Sequence, residues 1–242
     1  MDMAPPEDSI SVIIPAFNEE ANLAAAVGEV VAAAEGEFED YEIIIFDDGS
    51  SDGTGRVADR LAAGNGKIRV VHNGVNHGLG WNYRTGVQMA RMNYVTLVNG
   101  KHDIAADQLR RIFAARGRAD VVVPYHTNRG ERPLVRQVLS QAYTTFLNIL
   151  FGYNFHYYND SALHKRSVVA SLGLTTDSYA FTAEALIKSL ALGCSCVEVP
   201  IRNLYPKGVR THAFRIRNVM QVMAAVARMV YDVHFKGVYR HG

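Results

Sequence analysis

The first half of the chain switches repeatedly between two hydrophobic rhythms. Short strands are predicted at 10–14, 43–46, 68–71, 94–98 and 120–123, and the continuous apolar run 43–46, β-branched and closed by a turn signal, is expected to be buried on both faces. Pro15 and Pro124 are expected to stop the first and the fifth of them. Between the runs, apolar residues recur at helical spacing, as in Leu23, Val27, Val30, Val31 and Ala34. Helices are predicted from 18 to 34, over 52–63, from about 80 to 91, and over 105–116. Strand and helix alternate five times, which predicts an α/β fold: a mostly parallel sheet with helices on both faces. Beyond 124 the pattern changes. An arginine-rich polar loop (125–136) precedes an aromatic, apolar helix (137–151) and a tyrosine-rich stretch (153–158). A helix (181–192), a strand (195–201), a basic loop (205–212) and a long helix (215–235) follow.

The run Ile43, Ile44, Ile45, Phe46 ends directly on Asp47 and Asp48, and Gly49 and Ser50 begin the turn. In open α/β sheets ligands bind outside the carboxyl ends of the strands. Two carboxylates there are placed to touch a ligand. The polar loop 99–103 follows another strand and falls on the same edge. That shared edge favours ligand binding over simple helix capping.

Composition narrows the picture. The 242 residues suit one large domain, and 48% hydrophobic content supports a sizeable core. Lys plus Arg (25) nearly equals Asp plus Glu (24), so no polyanionic partner such as a nucleic acid is expected. The balance is local, however: from Arg202 to Arg240 the only carboxylate is Asp232. Such asymmetry suggests a phosphate-facing or membrane-facing C-terminal region. Cys194 and Cys196, one residue apart on a strand, cannot form an unstrained disulfide, which suits a reduced cytoplasmic protein. The opening residues lack the apolar core of a signal peptide, and no apolar run reaches the roughly 20 residues that span a bilayer.

Taken together, SVIIPAFNEE (11–20), FDDGSSDGT (46–54), NHGLGWNYRTG (76–86) and the polar loop after the fourth strand resemble the family 2 glycosyltransferases of the GT-A fold. The resemblance covers about 9–217, and the order and spacing of the blocks carry it. Within that family, 183–201 is most similar to the polyprenyl-phosphate enzymes of the dolichol-phosphate mannose synthase type. It implies an inverting transfer from a nucleotide diphosphate sugar (UDP- or GDP-linked) to a lipid phosphate, by one domain with a nucleotide-binding half (9–123) and an acceptor half (124–242). A cytoplasmic protein, peripheral on the inner membrane face, is expected. Phe146, Leu147, Ile149, Leu150 and Phe151 and the apolar side of the long C-terminal helix are candidates to receive a prenyl chain or lie in the bilayer interface, with core or dimer packing as the alternative. A homo-oligomer or a membrane subunit is a candidate partner. Pro15, Ala16, Glu19, Asp47, Asp48, His77 and Asn99 are implied around the nucleotide. Arg136 and Ser140 match an Arg-x-x-x-Ser element that faces the lipid phosphate, with Arg129 and Arg132 as candidates for a second arginine. Lys207 and Arg210 stand in a basic loop able to close over the diphosphate.

The sequence departs from the family at three places. The Asp-x-Asp that binds a divalent metal is replaced by Asn99-Gly100-Lys101-His102-Asp103. Two readings stay open: Lys101 neutralises the diphosphate in the metal's place, or Asp103 with Asn99 or His102 holds a weakened Mg²⁺ or Mn²⁺ site. Weak or absent metal dependence is expected, and no organic cofactor. The Asp that serves many relatives as general base is Ala185, with Glu184 beside it as a substitute. A phosphate monoester needs no base, since its second pKa is about 6. The usual arginine of the C-terminal loop is Tyr205. Two further readings stand beside the leading one: transfer to a hydroxyl, for which Glu184 would be essential, and a nucleotide-sugar-binding subunit without catalysis.

Overall fold

The computed structural model describes residues 5–205 and 216–236. Among them are seven strands: β1 (Ser9–Ala16), β2 (Asp40–Asp47), β3 (Ile68–His72), β4 (Tyr94–Leu97), β5 (Val121–His126), β6 (Leu163–Lys165) and β7 (Cys196–Ile201). Eight α-helices accompany them: α1 (Leu23–Ala34), α2 (Thr54–Gly64), α3 (Leu79–Met89), α4 (Ala106–Phe113), α5 (Leu134–Phe151), α6 (Arg166–Ser171), α7 (Phe181–Ala191) and α8 (Ile216–His234). The sheet order is β3-β2-β1-β4-β6-β5-β7, parallel except where β6 pairs antiparallel with both β4 and β5.

The strand run 43–46 is buried on both faces, as its composition predicts. Ile43 and Ile45 join a core with α1, α2 and α4, while Ile44 and Phe46 join a second core with α3, α6 and α7. A third core unites β5, α5, α7 and α8.

Several boundaries differ from the sequence expectation. β1 continues through Pro15, and β5 continues through Pro124 to His126. The reason is visible for Pro124. The N–H groups of Val121 and Thr127 point to β7, so by alternation Pro124 faces the β6 side, where pairing has already ended at Val122. No ladder hydrogen bond is lost. α1 starts at Leu23 rather than 18, because Asn18 turns the chain with φ of 55°. α5 begins at Leu134, so Arg136 lies in the first helical turn and not in a loop. β6 and α6 are additions: three and six residues respectively are too short to show a period. Leu147, whose place in the apolar stretch 146–151 makes it a candidate contact for a prenyl chain, is a core residue of α5.

Candidate active site

Parallel register carries the ends of β1, β2 and β4 to one edge. Ala16 is level with Asp47, the Asp48 N–H donates to the Ala16 carbonyl (2.8 Å), and the Gly100 N–H donates to the Pro15 carbonyl (3.1 Å). Gly49 makes the sharp turn after Asp48 with φ of 74°, and a Cβ there would stand 2.7 Å from the Val75 carbonyl carbon. The turn is thereby pressed against the loop that precedes α3.

A cleft of about 910 Å³ opens at this edge. Eight of the expected residues line it: Pro15, Ala16, Glu19, Asp48, His77, Asn99, Lys101 and Arg136. Asp48 organises the loop that precedes α3. It is buried, and its carboxylate accepts from Asn73 Nδ2 (2.8 Å) and from the N–H groups of His77 (2.9 Å) and Gly78 (2.8 Å). The His77 ring stacks on Trp81 with centroids 4.2 Å apart.

Asp47 does not reach the cleft. One carboxylate oxygen faces His72 Nδ1 at 3.2 Å, and the other accepts from the Ser50 N–H. His72 also contacts Asp59, and these two carboxylates raise its pKa, Asp47 foremost. The alternation of the strand explains the split: consecutive side chains leave opposite faces.

Lys101 and Asp103 neutralise each other. The ammonium lies 2.9 Å from the Asp103 carboxylate, which also accepts from Asn99 Nδ2 at 3.3 Å. His102 takes a left-handed backbone conformation and turns its ring to Glu29 on α1. Asp103 lies outside the cleft lining, with its single carboxylate already claimed by a cation. Among the described residues no group of three or more His, Cys, Asp or Glu could hold a metal ion. The one carboxylate of this loop is thus held by Lys101 and Asn99 rather than standing free.

Glu184, the substitute base, is also elsewhere. It sits on α7, almost fully buried, and accepts from the N–H groups of Thr175 (3.1 Å) and Thr176 (2.9 Å), the Thr175 hydroxyl (2.9 Å) and Lys188 Nζ (2.7 Å). Its role is to hold the segment Thr175–Thr176, which lines the cleft. Arg132 is buried against Tyr157 and Tyr205 and donates to the Tyr157 hydroxyl (3.0 Å). Arg129 donates to the carbonyls of His126 and His156. Neither arginine lines the cleft, nor does Ser140. Lys207 and Arg210 lie outside the described residues.

The structure adds lining residues that the sequence reading missed: the loop 175–179, and Asn218, Gln221 and Arg228 of α8. Nothing local marks the loop as functional. It is brought in by Glu184 from behind and by Gly80 from the side, where a Cβ would stand 2.6 Å from the Asp177 carbonyl carbon. The helical spacing of 218, 221, 225 and 228 was the available signal for α8.

The description "Glycosyl transferase family 2" matches residues 11–173. The chain belongs to that family. It is similar to a polyprenol monophosphomannose synthase of Mycolicibacterium smegmatis, 34% identical over 212 residues, covering 81% of this chain and 77% of the relative. An undecaprenyl-phosphate mannosyltransferase of Micrococcus luteus is 28% identical over 208 residues, covering 79% and 82%. Among solved structures, glucosyl-3-phosphoglycerate synthase from Mycobacterium tuberculosis, in complex with Mn²⁺, UDP and phosphoglyceric acid, superposes with a TM-score of 0.72 at 19% identity, covering 92% of this chain and 78% of that one. A Pyrobaculum calidifontis mannosyltransferase in complex with GDP-Man and Mn²⁺ gives 0.65 at 20% identity, covering 90% and 64%. The fold of this family 2 glycosyltransferase is GT-A, and it is an enzyme rather than a binding subunit.

Proposed function

We propose that this glycosyltransferase moves a sugar, with inversion, from a UDP- or GDP-sugar to a polyprenyl or related lipid phosphate. The observation that carries the reading is Arg136. It is half-buried, shares the cleft with Asp48 and Lys101, and its side chain has no hydrogen-bond or ion-pair partner among the described residues. A cation kept unpaired in a cleft is suited to an anionic ligand. The carboxylates of the cleft are all engaged: Glu19 with Asn22, Asp48 with its loop, Asp177 with Arg84. None is left as an obvious general base, which suits an acceptor that arrives ionised and disfavours a hydroxyl.

In this reading the nucleoside lies along Pro15, Ala16 and Asp48, beside the His77 ring. The diphosphate meets Lys101, a compact point charge. Swinging from Asp103 to the phosphates, Lys101 would neutralise the charge that develops on the leaving diphosphate. An acceptor phosphate oxygen attacks the anomeric carbon from the opposite side, and the bond to the diphosphate breaks. Positioning and electrostatics supply the catalysis.

The lipid part of the acceptor suits the outer faces of α5 and α8. Val135, Val138 and Ile149 on one, and Met220 and Met223 on the other, are exposed, as is Phe235 just past the end of α8. No described helix is long and apolar enough to cross a membrane, so we assign these faces to contact with its surface. Co-sedimentation with anionic liposomes is expected; its absence removes that assignment.

The test of the reaction is transfer from a panel of UDP- and GDP-sugars to a prenyl phosphate, with chelator or with Mn²⁺. Turnover that survives the chelator is expected. Activity abolished by the chelator and restored only by a divalent metal would sink the role given to Lys101. Transfer only to hydroxyl acceptors would sink the lipid-phosphate reading.

A further inference from the structure

A phosphate monoester carries close to two charges near neutral pH, so one arginine is a thin complement for it. The two arginines that precede α5 do not add to Arg136, because Arg132 is stacked between tyrosines and Arg129 is tied to backbone carbonyls. α8 brings a different one. Arg228 lines the same cleft as Arg136, and its exposed side chain has no ion-pair or hydrogen-bond partner among the described residues. Asn218, Gln221 and Ala225 line it too, at spacings that put all four on one face of the helix.

The helix that presents Arg228 is anchored one turn further on. Asp232 is buried and lies 3.4 Å from Lys188 Nζ, and Lys188 in turn lies 2.7 Å from Glu184. Lys188 also donates to the Gly173 carbonyl (3.2 Å). One buried ammonium thus ties α8 to the carboxylate that holds Thr175 and Thr176. The loop wall and the arginine-bearing helix are positioned together.

We propose that α8 supplies the second half of the acceptor phosphate site, with Arg228 binding the phosphate beside Arg136. The inference rests on the lipid-phosphate reading above. Two cations from separate helices can contact different oxygens of one phosphate, leaving the remaining oxygen free to attack. Arg228 therefore governs acceptor affinity and not nucleotide affinity.

The experiment is steady-state transfer to a short, water-soluble prenyl phosphate without membranes, so that loss of docking on a bilayer cannot imitate loss of phosphate binding. Arg228→Ala is expected to raise the acceptor KM roughly tenfold or more, with the nucleotide-sugar KM within about twofold of wild type. Arg228→Lys should recover part of the loss, which a purely structural role would not show. An acceptor KM unchanged in Arg228→Ala, in an enzyme that does use the prenyl phosphate, overturns this inference alone. A wild-type enzyme that refuses every prenyl phosphate overturns the lipid-phosphate reading and this inference with it.

Discussion

Each half of the molecule uses a buried carboxylate to shape a loop of the cleft, but by different means. Asp48 stands at the end of a strand and lines the cleft itself while it holds the N–H groups of His77 and Gly78. Glu184 stands behind the wall, on a helix buried along most of its length, and holds Thr175 and Thr176 without touching the cleft. The first half builds its side of the site from backbone register, with parallel strands that end on one line. The second half builds its side from side-chain charges, Glu184, Lys188 and Asp232, that fasten helices to one another. A register-built site tolerates changes in the helices around it. A charge-built one depends on every member of its network.

The contrast is sharpest at Lys188. Replacing it with Met leaves Glu184 and Asp232 buried without their shared cation. A loss of about 3–5 kcal/mol in unfolding free energy is expected from urea titration. Glu184→Gln introduced alongside Lys188→Met should recover part of that loss, and equal losses in the single and double variants would show that charge is not what matters there.

His164 probes the seam. It lies on β6, opposite Val95 of the first half and Val121 of the second. Burial pushes its pKa down from 6.5 to about 4. Between those values the unfolded chain takes up a proton that the folded ring refuses. The contribution is therefore intact above pH 6.5 and is lost as the pH falls towards 4, on the order of 3 kcal/mol in all. His164→Gln should flatten that acid limb in a stability-against-pH profile, and an unchanged slope would exclude His164 as its source.

The functional division is tested by a pair of variants. Arg136→Ala is expected to lower transfer roughly a hundredfold while nucleotide binding stays at the wild-type value. Asp48→Asn, which puts an amide donor among three N–H donors, should do the reverse first. It weakens nucleotide affinity, measured by calorimetry, and costs about 1–3 kcal/mol of stability. Loss of both properties together in Arg136→Ala would erase the boundary between the two halves.

The first half was almost wholly legible in the sequence. Its central strands are apolar and buried, and its ligand loops fall where strands end, so seven of its expected residues meet in one cleft. What failed to meet there failed for physical reasons. Asp47 leaves the opposite face of the strand from Asp48, and Arg132 finds better company between two tyrosines than in solvent. β6 escaped notice because three residues carry no period, although they join the two halves of the sheet.

By itself the sequence determined the order of the first five strands and the helices between them, the edge at which the cleft opens, and the departure from the metal-binding pattern at Asn99–Asp103, because each is a property of adjacent residues. Only the tertiary structure decided which charges face that ligand. Lys101 is paired with Asp103, Glu184 is consumed by a loop and by Lys188, and Arg136 shares its cleft with Arg228, 92 positions further along the chain. A charge is settled by its neighbours in space, and those neighbours come from elements far apart in sequence.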